Sequence, residues 1–316
     1  MSMISASGFG IATINKDGYV LDAWFPNPKL DFSLSSETIE LEKSNIPNYL
    51  IGFVGFDSIR NVKLKAIHTK IDSLQSKPSD VYDLYLRLHL LSHRLIKPNM
   101  VNLNGIFNKL TNVLWTNRGP CMVEDFKYLR TKLEHNENIK IYSIDKFPRM
   151  LNYVFPSGIR IANSSNVRLG AYLAKGTTVM HSGFVNFNSG TLGASMIEGR
   201  VSSGVVIGDG SDIGGGASIM GSLSGGGKEI ISIGKRCLIG ANSGIGISLG
   251  NDCIIEAGLY ITKGTKVTNS DGKTYRAIQL SKPNNVLFRR NSLSGVVEVI
   301  DRNIAGISLN KKLHEQ

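Results

Sequence analysis

The second half of the chain carries an aliphatic residue at every sixth position. A smaller residue, Ala, Ser, Thr or Cys, recurs four positions after most of these anchors, and Thr191 is the one anchor that is not aliphatic. Neither the 3.6-residue period of a helix nor the two-residue alternation of a strand accounts for this spacing. The anchors form four runs, at 161–197, 207–219, 233–245 and 249–267.

One large and one small inward residue in every six are typical of one flat wall of a three-walled coil. Three walls close a turn of about 18 residues, and successive turns stack about 4.8 Å apart, like neighbouring strands. Gly, Asn and Asp between the anchors supply the backbone freedom that the corners require. The spacing therefore predicts a mainly β protein with a parallel β-helix over 151–270, in which Cys237 and Cys253 fill small inward slots.

The repeat is interrupted once by a Gly-rich insertion. The stretch "GSLSGGGKEIIS" is too irregular to continue a wall, so it predicts an excursion loop near 222–232. Loops that project from a rigid scaffold often present binding groups.

The segments on either side of the coil have ordinary periodicity. Short apolar runs in 1–75 predict a small mixed sheet, and "SDVYDLYLRLHLLSHRLI" predicts a helix with Ser79 as its N-cap. Two further helices are predicted in "MVNLNGIFNKLTNVLW" and "VEDFKYLRTKLEH". His89 and His93 have i, i+4 spacing but no third ligand nearby, which favours a helix-surface pair over a metal site.

These patterns divide the chain into three parts. We expect an N-terminal α/β domain over 1–150 and the coil over 151–270. A C-terminal basic loop and β cap over 271–316 would close the exposed end of the coil, since a solenoid needs its ends covered.

The formal charge of +11 narrows the partners only when its position is considered. A basic protein could bind nucleic acid, an anionic membrane or a phosphorylated small molecule. The basic residues cluster late with few aromatic residues, whereas a platform for bases needs both, so we expect no nucleic-acid partner. The chain has no run of about 18 apolar residues and no signal-peptide layout, which predicts a soluble, cytoplasmic protein without a membrane partner. Three cysteines without CxxC spacing indicate reduced thiols.

The six-residue period resembles that of the hexapeptide-repeat proteins, whose coils are left-handed. Many acyltransferases that use coenzyme A, and a zinc-dependent carbonic anhydrase, are built on such coils. The zinc site needs three imidazoles, and His181 is the only His in the repeat region, so acyl transfer is favoured. His181 itself is either a general base for the acceptor or a surface residue.

Three motifs in a fixed order make the resemblance more specific. The run "FVNFNSGTLGASMIEGRVSSGVVIGDGSDIGGGASIMGSLSGGG", then "ISIGKRCLIGANSGIGISLGNDCIIEAGLYITKGTKV", then "LFRRNS" closely resemble the longer-chain tetrahydrodipicolinate N-succinyltransferases. The likeness is strongest over 155–310, and "GFGIATINKDGYVLDAWFP" is collinear near the N-terminus. It implies a step of lysine and diaminopimelate biosynthesis, in which succinyl-CoA acylates the amine of L-2-amino-6-oxopimelate, the opened form of tetrahydrodipicolinate.

The resemblance assigns the catalytic role to the acid in "MIEGR". That acid is Glu198, the only carboxylate between Asp145 and Asp209. Glu198 either accepts a proton from the attacking amine and orients it, or attacks the thioester and forms a transient acyl anhydride. The resemblance also places the backbone N–H of Gly221 at the negative oxygen of the tetrahedral intermediate.

The remaining family positions bind the two substrates. Arg200 corresponds to an arginine that contacts a substrate carboxylate. The pantetheine groove corresponds to Gly215, Ser218, Ala241, Glu256, Ala257 and Gly264, and the CoA phosphates to Arg276, Arg289, Arg290, Asn291 and Ser292.

The resemblance also implies a homotrimer with its active sites in clefts between neighbouring coils. Succinyl-CoA enters as a co-substrate, and no tightly bound cofactor is expected. Longer-chain members can hold magnesium near the threefold axis, but the matching positions here are Asn166 and Ser182. Because a hard cation prefers carboxylate oxygen, we do not expect a tightly held metal.

Two other functions remain open at this point. Another hexapeptide CoA-dependent acetyltransferase would keep the coil but would not need Arg200 and Glu198 together. A non-catalytic scaffold would keep the anchors but would have no use for "LFRRNS" or for the glycine loop.

Overall fold

The computed structural model describes residues 4–31, 35–126, 139–221, 230–280 and 282–302. The chain divides into two compact units, an N-terminal unit, Met1–Val154, and a coil unit, Phe155–Gln316. The described strands of the N-terminal unit are β1 (Ala6–Asn15), β2 (Val20–Trp24), β3 (Lys29–Leu30), β4 (Glu37–Glu40), β5 (Gly55–Asp57), β6 (Val62–Ile71), β7 (Val113–Thr116), β8 (Gly119–Cys121) and β9 (Ile141–Asp145). Its helices with both ends among the described residues are α1 (Val81–Ser92) and α2 (Ile106–Lys109), and 3₁₀ turns lie at Lys43–Asn45, Ile51–Phe53 and Met150–Asn152.

The main sheet of the N-terminal unit is antiparallel in every described pairing. Its order is β2-β1-β6-β4, with β3 on the edge of β1 and β5 on β6. The prediction of a mixed sheet is therefore wrong. The turn between β1 and β2 shows why: the Asn15 side chain accepts hydrogen bonds from the backbone of Asp17 and Tyr19, which closes a tight hairpin.

Helix α1 begins one residue later than predicted. Its N-cap is Asp80, whose carboxylate accepts from the backbone N–H of Asp83 at 2.8 Å. The predicted cap, Ser79, instead donates to the Asp83 carboxylate through its backbone N–H at 2.8 Å and through its hydroxyl. Asp83, the acid in the first turn, thus bonds to Ser79 through its carboxylate and to Asp80 through its backbone N–H.

Helix α1 is buried on nearly all sides. The prediction that His89 and His93 form a surface pair is wrong for His89, which is fully buried among Ala23, Phe25 and Tyr153. Buried residues of the helix lie on all of its sides, so i, i+4 spacing does not mark a solvent-exposed face here. Burial lowers the pKa of His89 to about 3, since the charged imidazolium would lose its hydration.

The two other predicted helices fare differently. In "MVNLNGIFNKLTNVLW" only Ile106–Lys109 is helical, and Val113–Thr116 is the central strand of an antiparallel sheet of order β8-β7-β9. Tertiary pairing decides the conformation of this β-branched and aromatic run. In "VEDFKYLRTKLEH" residues 123–126 are helical, and the continuation over 127–138 lies outside the described residues.

The coil unit is built from short parallel strands that form three walls. Wall 1 contains β10 (Arg160–Ile161), β12 (Thr177–Val179), β15 (Ser195–Ile197), β18 (Ser211–Ile213), β21 (Leu238–Ile239) and β23 (Ile254–Ile255). Wall 2 contains β13 (Phe184–Val185), β16 (Arg200–Val201), β19 (Ser218–Ile219), β22 (Gly244–Ile245) and β24 (Tyr260–Ile261). Wall 3 contains β11 (Tyr172–Leu173), β14 (Gly190–Thr191), β17 (Val206–Ile207) and β20 (Ser232–Ile233).

The register of these walls stacks equivalent anchors directly on one another. In wall 1, Ile197 pairs with Ile213, which pairs with Ile239, which pairs with Ile255. These four side chains are fully buried and form a continuous aliphatic ladder along the inside. The predicted parallel β-helix is confirmed, and Cys237 and Cys253 are buried in the small inward slots assigned to them.

The corner between walls 1 and 2 is shorter in one turn of the coil than in the others. The step from the wall 1 anchor to the wall 2 anchor spans six residues at Val179–Val185 and at Ile213–Ile219, but only four at Ile197–Val201. Val201 is a fully buried anchor that the six-residue spacing missed. The shortened corner consists of Glu198 and Gly199.

Beyond the last full turn the chain leaves the regular coil. The remaining described strands are β25 (Lys266–Thr268), β26 (Thr274–Arg276), β27 (Val286–Arg290) and β28 (Val297–Asp301). Strand β27 pairs parallel with β23, so Phe288 stacks on Ile255 and extends the ladder of wall 1. Strand β28 then pairs antiparallel with β27. Most of the predicted excursion loop, 222–229, lies outside the described residues.

Candidate active site

Glu198 directly follows the third strand of wall 1, in a row of equivalent corner positions. Each backbone N–H of the row donates to the anchor carbonyl of the next turn: Glu198 to Ile213 at 2.8 Å, Gly214 to Ile239 at 2.8 Å, Gly240 to Ile255 at 2.9 Å and Glu256 to Phe288 at 3.0 Å. We call these four residues the glutamate row. It has an acid at each end and glycine between them.

The glycines of the glutamate row leave a strip without side chains. A Cβ on Gly214 would lie 2.8 Å from the backbone nitrogen of Ala241, and one on Gly240 would lie 2.5 Å from that of Ala257. The close approach of the next turn therefore requires glycine at both positions. The half-buried Glu198 carboxylate points toward this strip, because a Cβ on Gly215 would lie 3.5 Å from its Oε2.

The shortened corner fixes the backbone of Glu198 on several sides. The N–H groups of Glu198 and Gly199 both donate to the Ile213 carbonyl, at 2.8 and 3.1 Å. The carbonyl of Glu198 accepts from the Ser182 hydroxyl at 3.2 Å. A Cβ on Gly199 would lie 2.5 Å from the Ala217 carbonyl oxygen, so only glycine fits this corner. Within the described residues, these backbone contacts hold Glu198 at the corner.

The other end of the glutamate row meets "LFRRNS", residues 287–292, which we call the basic segment. The Glu256 carboxylate accepts from the backbone N–H of Arg290 at 2.6 Å, and the Arg290 guanidinium donates to the Gly295 carbonyl at 2.9 Å. The structure therefore brings together two residues that are 34 positions apart in sequence.

Beside that contact, Glu298 organises two more of the candidate residues. Its carboxylate accepts from Arg289 Nε at 2.9 Å and from the Asn291 amide at 2.8 Å, and both contacts lower the pKa of Glu298. Sequence reasoning missed Glu298. The signal was present in the alternation of "GVVEVI", which places Glu298 opposite Arg289 in an antiparallel pair.

Wall 2 carries the candidate substrate arginine. Arg200 begins strand β16 one residue after the shortened corner, with its side chain exposed, and its backbone pairs with Ser218 in the next turn. Gly215, Ala241 and Ala257 lie one position beyond the glutamate row at the same corner.

Two candidates lie at a different corner. Gly221 and Gly264 both follow wall 2 anchors, Ile219 and Ile261, so the breadth of wall 2 separates them from the glutamate row. Gly221 is buried, and a Cβ there would lie 3.0 Å from both Ser202 Cβ and the Ser203 carbonyl oxygen. Within one chain the structure does not bring Gly221 and Glu198 together.

The last two candidates are exposed. Arg276 ends strand β26, which pairs with β25, and its backbone N–H donates to the Gln279 side chain at 2.8 Å. Ser292 lies in the turn between β27 and β28.

The positions considered for magnesium do not suit a hard cation. The Asn166 amide donates to the His181 carbonyl at 2.8 Å, and the Ser182 hydroxyl is directed to Glu198. Neither side chain is a carboxylate. Within the described ranges, no cluster of three or more His, Cys, Asp or Glu could hold a metal ion.

None of the helices in the described part of the chain is long and apolar enough to cross a membrane.

Comparison with known proteins agrees with this architecture at two levels. Residues 230–263 match the family model described as the hexapeptide repeat of succinyl-transferase. The coil and this match define the class as the hexapeptide-repeat transferases. Residues 110–149, which lie outside the coil, match the model described as the middle part of tetrahydrodipicolinate N-succinyltransferase.

Full-length relatives narrow the class to one family. A 2,3,4,5-tetrahydropyridine-2,6-dicarboxylate N-succinyltransferase from Vibrio cholerae is 42% identical over 98% of both chains. The enzyme of that name from Pseudomonas paraeruginosa is 43% identical, covering 97% of this chain and 96% of its own. A solved structure from Campylobacter jejuni, described as a 2,3,4,5-tetrahydropyridine-2-carboxylate N-succinyltransferase, has a TM-score of 0.83 and 32% identity, covering 98% of this chain and 93% of its own. The chain belongs to the tetrahydrodipicolinate N-succinyltransferase family.

Proposed function

We propose that the protein transfers the succinyl group of succinyl-CoA to the amine of L-2-amino-6-oxopimelate, in lysine and diaminopimelate biosynthesis. The full-length relatives support the reaction. One feature of the site carries it: the glutamate row links an acid at a shortened corner, Glu198, to the basic segment at Glu256 by a strip without side chains.

The strip without side chains suits succinyl-CoA, the acyl donor. Three turns at about 4.8 Å separate the ends of the glutamate row by about 14 Å. Pantetheine is long and mostly neutral, so it can lie along Gly214 and Gly240 with Gly215, Ala241 and Ala257 beside it. Arg276, Arg289, Arg290, Asn291 and Ser292 supply donors for the CoA phosphates, and the half-buried Ser218 and the exposed Gly264 complete the groove.

The chemical step needs one proton acceptor and one oxyanion site. The amine of the acceptor attacks the thioester carbonyl carbon, a C–N bond forms, the C–S bond breaks, and the thiolate of CoA leaves and is protonated. Glu198 takes the proton of the attacking amine in one form of the mechanism. In the other, its carboxylate attacks first and the amine then opens the acyl anhydride.

Arg200 fits the role of binding an acceptor carboxylate, because a guanidinium can bind a carboxylate through two parallel hydrogen bonds. Its exposed side chain begins the strand beside the shortened corner. The Gly221 N–H stabilises the tetrahedral oxyanion in this scheme.

The separation of Glu198 and Gly221 by wall 2 supports an active site completed by another copy. A cleft between two coils can join the corner of one chain that carries Glu198 to the corner of its neighbour that carries Gly221. We therefore propose a homotrimer of left-handed coils. Small-molecule substrates are its other partners, and the cytoplasm is its compartment.

The division into an N-terminal α/β domain over 1–150, a coil over 151–270 and a basic loop with a β cap over 271–316 is part of this proposal. The pairing of β27 with β23 supports the cap, since it covers an end strand of wall 1.

Steady-state assays of CoA release test the proposal directly. We expect turnover with succinyl-CoA and the pimelate acceptor, and a loss of at least about a hundredfold in kcat for Glu198→Ala. Asp209→Ala is the matched control, because Asp209 is an exposed acid at another corner of the coil. Near-normal turnover in Glu198→Ala would remove Glu198 from the mechanism, and a preference for acetyl-CoA would favour the alternative acetyltransferase function.

Incubation with succinyl-CoA in the absence of the acceptor separates the two forms of the mechanism. If Glu198 is the nucleophile, brief incubation with succinyl-CoA leaves a succinyl adduct on the peptide that contains Glu198, detectable by mass spectrometry. If Glu198 acts as a base, that peptide keeps its mass.

A further inference from the structure

The N-terminal unit contains a cavity of about 680 Å³ that the proposed reaction does not use. Its lining comes from four stretches, 11–24, 52–64, 115–120 and 142–153, all within this unit. The volume lies within the range of small-molecule sites. The residues that face it are aromatic and cationic rather than uniformly apolar.

The charge of the lining favours an anion. Three arginines, Arg60, Arg118 and Arg149, line the cavity, whereas Asp22 is the only carboxylate among the described lining residues. Asp22 is buried and accepts hydrogen bonds from Tyr153 and Thr13, so its oxygens are already engaged. Burial raises the pKa of Asp22 above its ordinary value.

Two of the arginines are held in place by the unit itself. Arg60 Nε contacts the Asp57 carboxylate at 2.7 Å, so part of its charge is balanced. The Arg149 guanidinium lies 3.8 Å from the centre of the Tyr142 ring, which fixes its plane at the cavity wall. Guanidinium groups fixed in this way are suited to carboxylate or phosphate oxygens.

The aromatic residues favour a flat ring. Trp24 and Phe53 meet edge to face with ring centres 5.1 Å apart, and Trp115, Tyr142 and Tyr153 also line the cavity. The indole N–H of Trp24 is buried and makes no hydrogen bond within the described residues. Buried donors normally have an acceptor, and an anionic oxygen of a ligand would supply one.

We infer that this cavity binds a small organic anion, a flat ring that carries a carboxylate or phosphate group. The ring packs against Trp24 and Phe53, and the anionic group is bound by Arg118 and Arg149. This site is separate from the proposed catalytic residues, so its failure would leave the succinyl transfer untouched, and the reverse also holds.

The chain provides its own reporter. It has two tryptophans, Trp24 and Trp115, and both line the cavity. Titration of the full-length protein with benzene-1,3-dicarboxylate is expected to change tryptophan fluorescence saturably. Phenyl phosphate tests whether phosphate serves as well as carboxylate. The neutral benzene-1,3-dicarboxamide and the flexible heptanedioate are expected to bind at least about tenfold more weakly, since each lacks one of the two required features.

Calorimetry on variants locates the binding. Arg149→Gln and Arg118→Gln should each weaken the dicarboxylate at least about tenfold, and Trp24→Phe should weaken it while keeping the aromatic ring. Lys63→Gln is the matched control, because Lys63 is exposed on strand β6 next to the lining residue Leu64 and loses the same charge.

The results separate a site from general attraction. A saturable signal lost in the two arginine variants and kept in Lys63→Gln supports the site. No saturable change with either anion, equal binding of the neutral ring, or binding that survives both arginine substitutions would overturn it. Circular dichroism of each variant checks that the fold is retained.

Discussion

The two units bury polar groups in different ways. In the coil, the inward polar residues are small and neutral, and they bond to nearby backbone: the Ser211 hydroxyl donates to the Gly234 carbonyl at 2.7 Å and the Ser243 hydroxyl to the Gly240 carbonyl at 2.6 Å. The N-terminal unit instead buries full charges. Arg87 and Asp83 are almost completely inaccessible, with Nε and Oδ1 2.5 Å apart.

The difference lies in where the partners come from. Ser243 bonds to its own turn and Ser211 to the next one, so the repeat supplies both partners. Arg87 also donates to the carbonyls of Leu74 and Asn102, at 2.7 and 2.9 Å, which are supplied by separate loops. The coil is thus specified by a spacing, whereas the N-terminal unit is specified by individual pairings.

The largest expected effect comes from breaking the buried pair. Arg87→Met leaves the Asp83 carboxylate buried without its cation, so it should lower the free energy of unfolding by about 3–5 kcal/mol. Urea unfolding followed by tryptophan fluorescence measures this, because both tryptophans lie in the N-terminal unit.

The coil offers a matched control for that substitution. Arg236 makes two contacts of 2.7 Å with the Asp252 carboxylate, but on the surface between adjacent turns. Arg236→Met should change the free energy of unfolding only slightly, since exposed ion pairs contribute little to stability. Equal losses in the two variants would contradict the distinction between the units.

A coil anchor should act through packing alone. Ile239 is fully buried in the ladder of wall 1, so Ile239→Ala should cost about 3 kcal/mol, and Ile239→Val about 1 kcal/mol. Unfolding followed by far-ultraviolet circular dichroism measures the series. A loss that does not grow with the volume removed would show that the anchors do more than fill space.

The third prediction concerns pH and the N-terminal unit. Burial lowers the pKa of His89 from 6.5 to about 3, so the folded chain keeps it neutral while the unfolded chain binds a proton below about pH 6.5. Its contribution to stability is therefore complete above that pH and is lost as the pH falls toward 3. Between pH 7 and pH 5 the loss should be about 2 kcal/mol.

His89→Gln isolates the contribution of His89. The free energy of unfolding of each protein is measured at pH 7 and at pH 5. The drop between the two pH values should be smaller in the variant, by about the amount that His89 contributes. Parallel pH dependence in the two proteins would mean that another group carries the acid sensitivity.

The contrast also explains what could be predicted from sequence. The coil was predictable because its anchors repeat at one spacing, and the register of Ile161, Val179 and Ile197 follows from that spacing. Val201 was not, since the corner before it is two residues shorter than the equivalent corners of the other turns. A period identifies a wall but not an irregular corner.

The N-terminal unit was predicted less well for the same physical reason. Amphipathic spacing identified helix α1, but not that His89 would be enclosed on every side. Val113–Thr116 pairs with strands on both sides, and local propensity in "NKLTNVLW" does not contain that information.

The candidate site could also be predicted only in part. Glu198 could be singled out as the only carboxylate between Asp145 and Asp209, and Glu256 entered through the family resemblance, but their place in one row follows only from the turn lengths between them. The contacts of Glu298 with Arg289 and Asn291 depend on a hairpin that the family motif did not reveal.

Because the turns stack at a constant rise, distances along the glutamate row can change only in steps of one strand spacing. Deleting or duplicating one whole turn between Gly214 and Gly240 would move the acid relative to the basic segment by one strand spacing, about 4.8 Å, with no intermediate value available. The length of the donor arm that such a protein accommodates is therefore quantised. Relatives with more or fewer turns in this stretch should select carriers whose arms differ by that step.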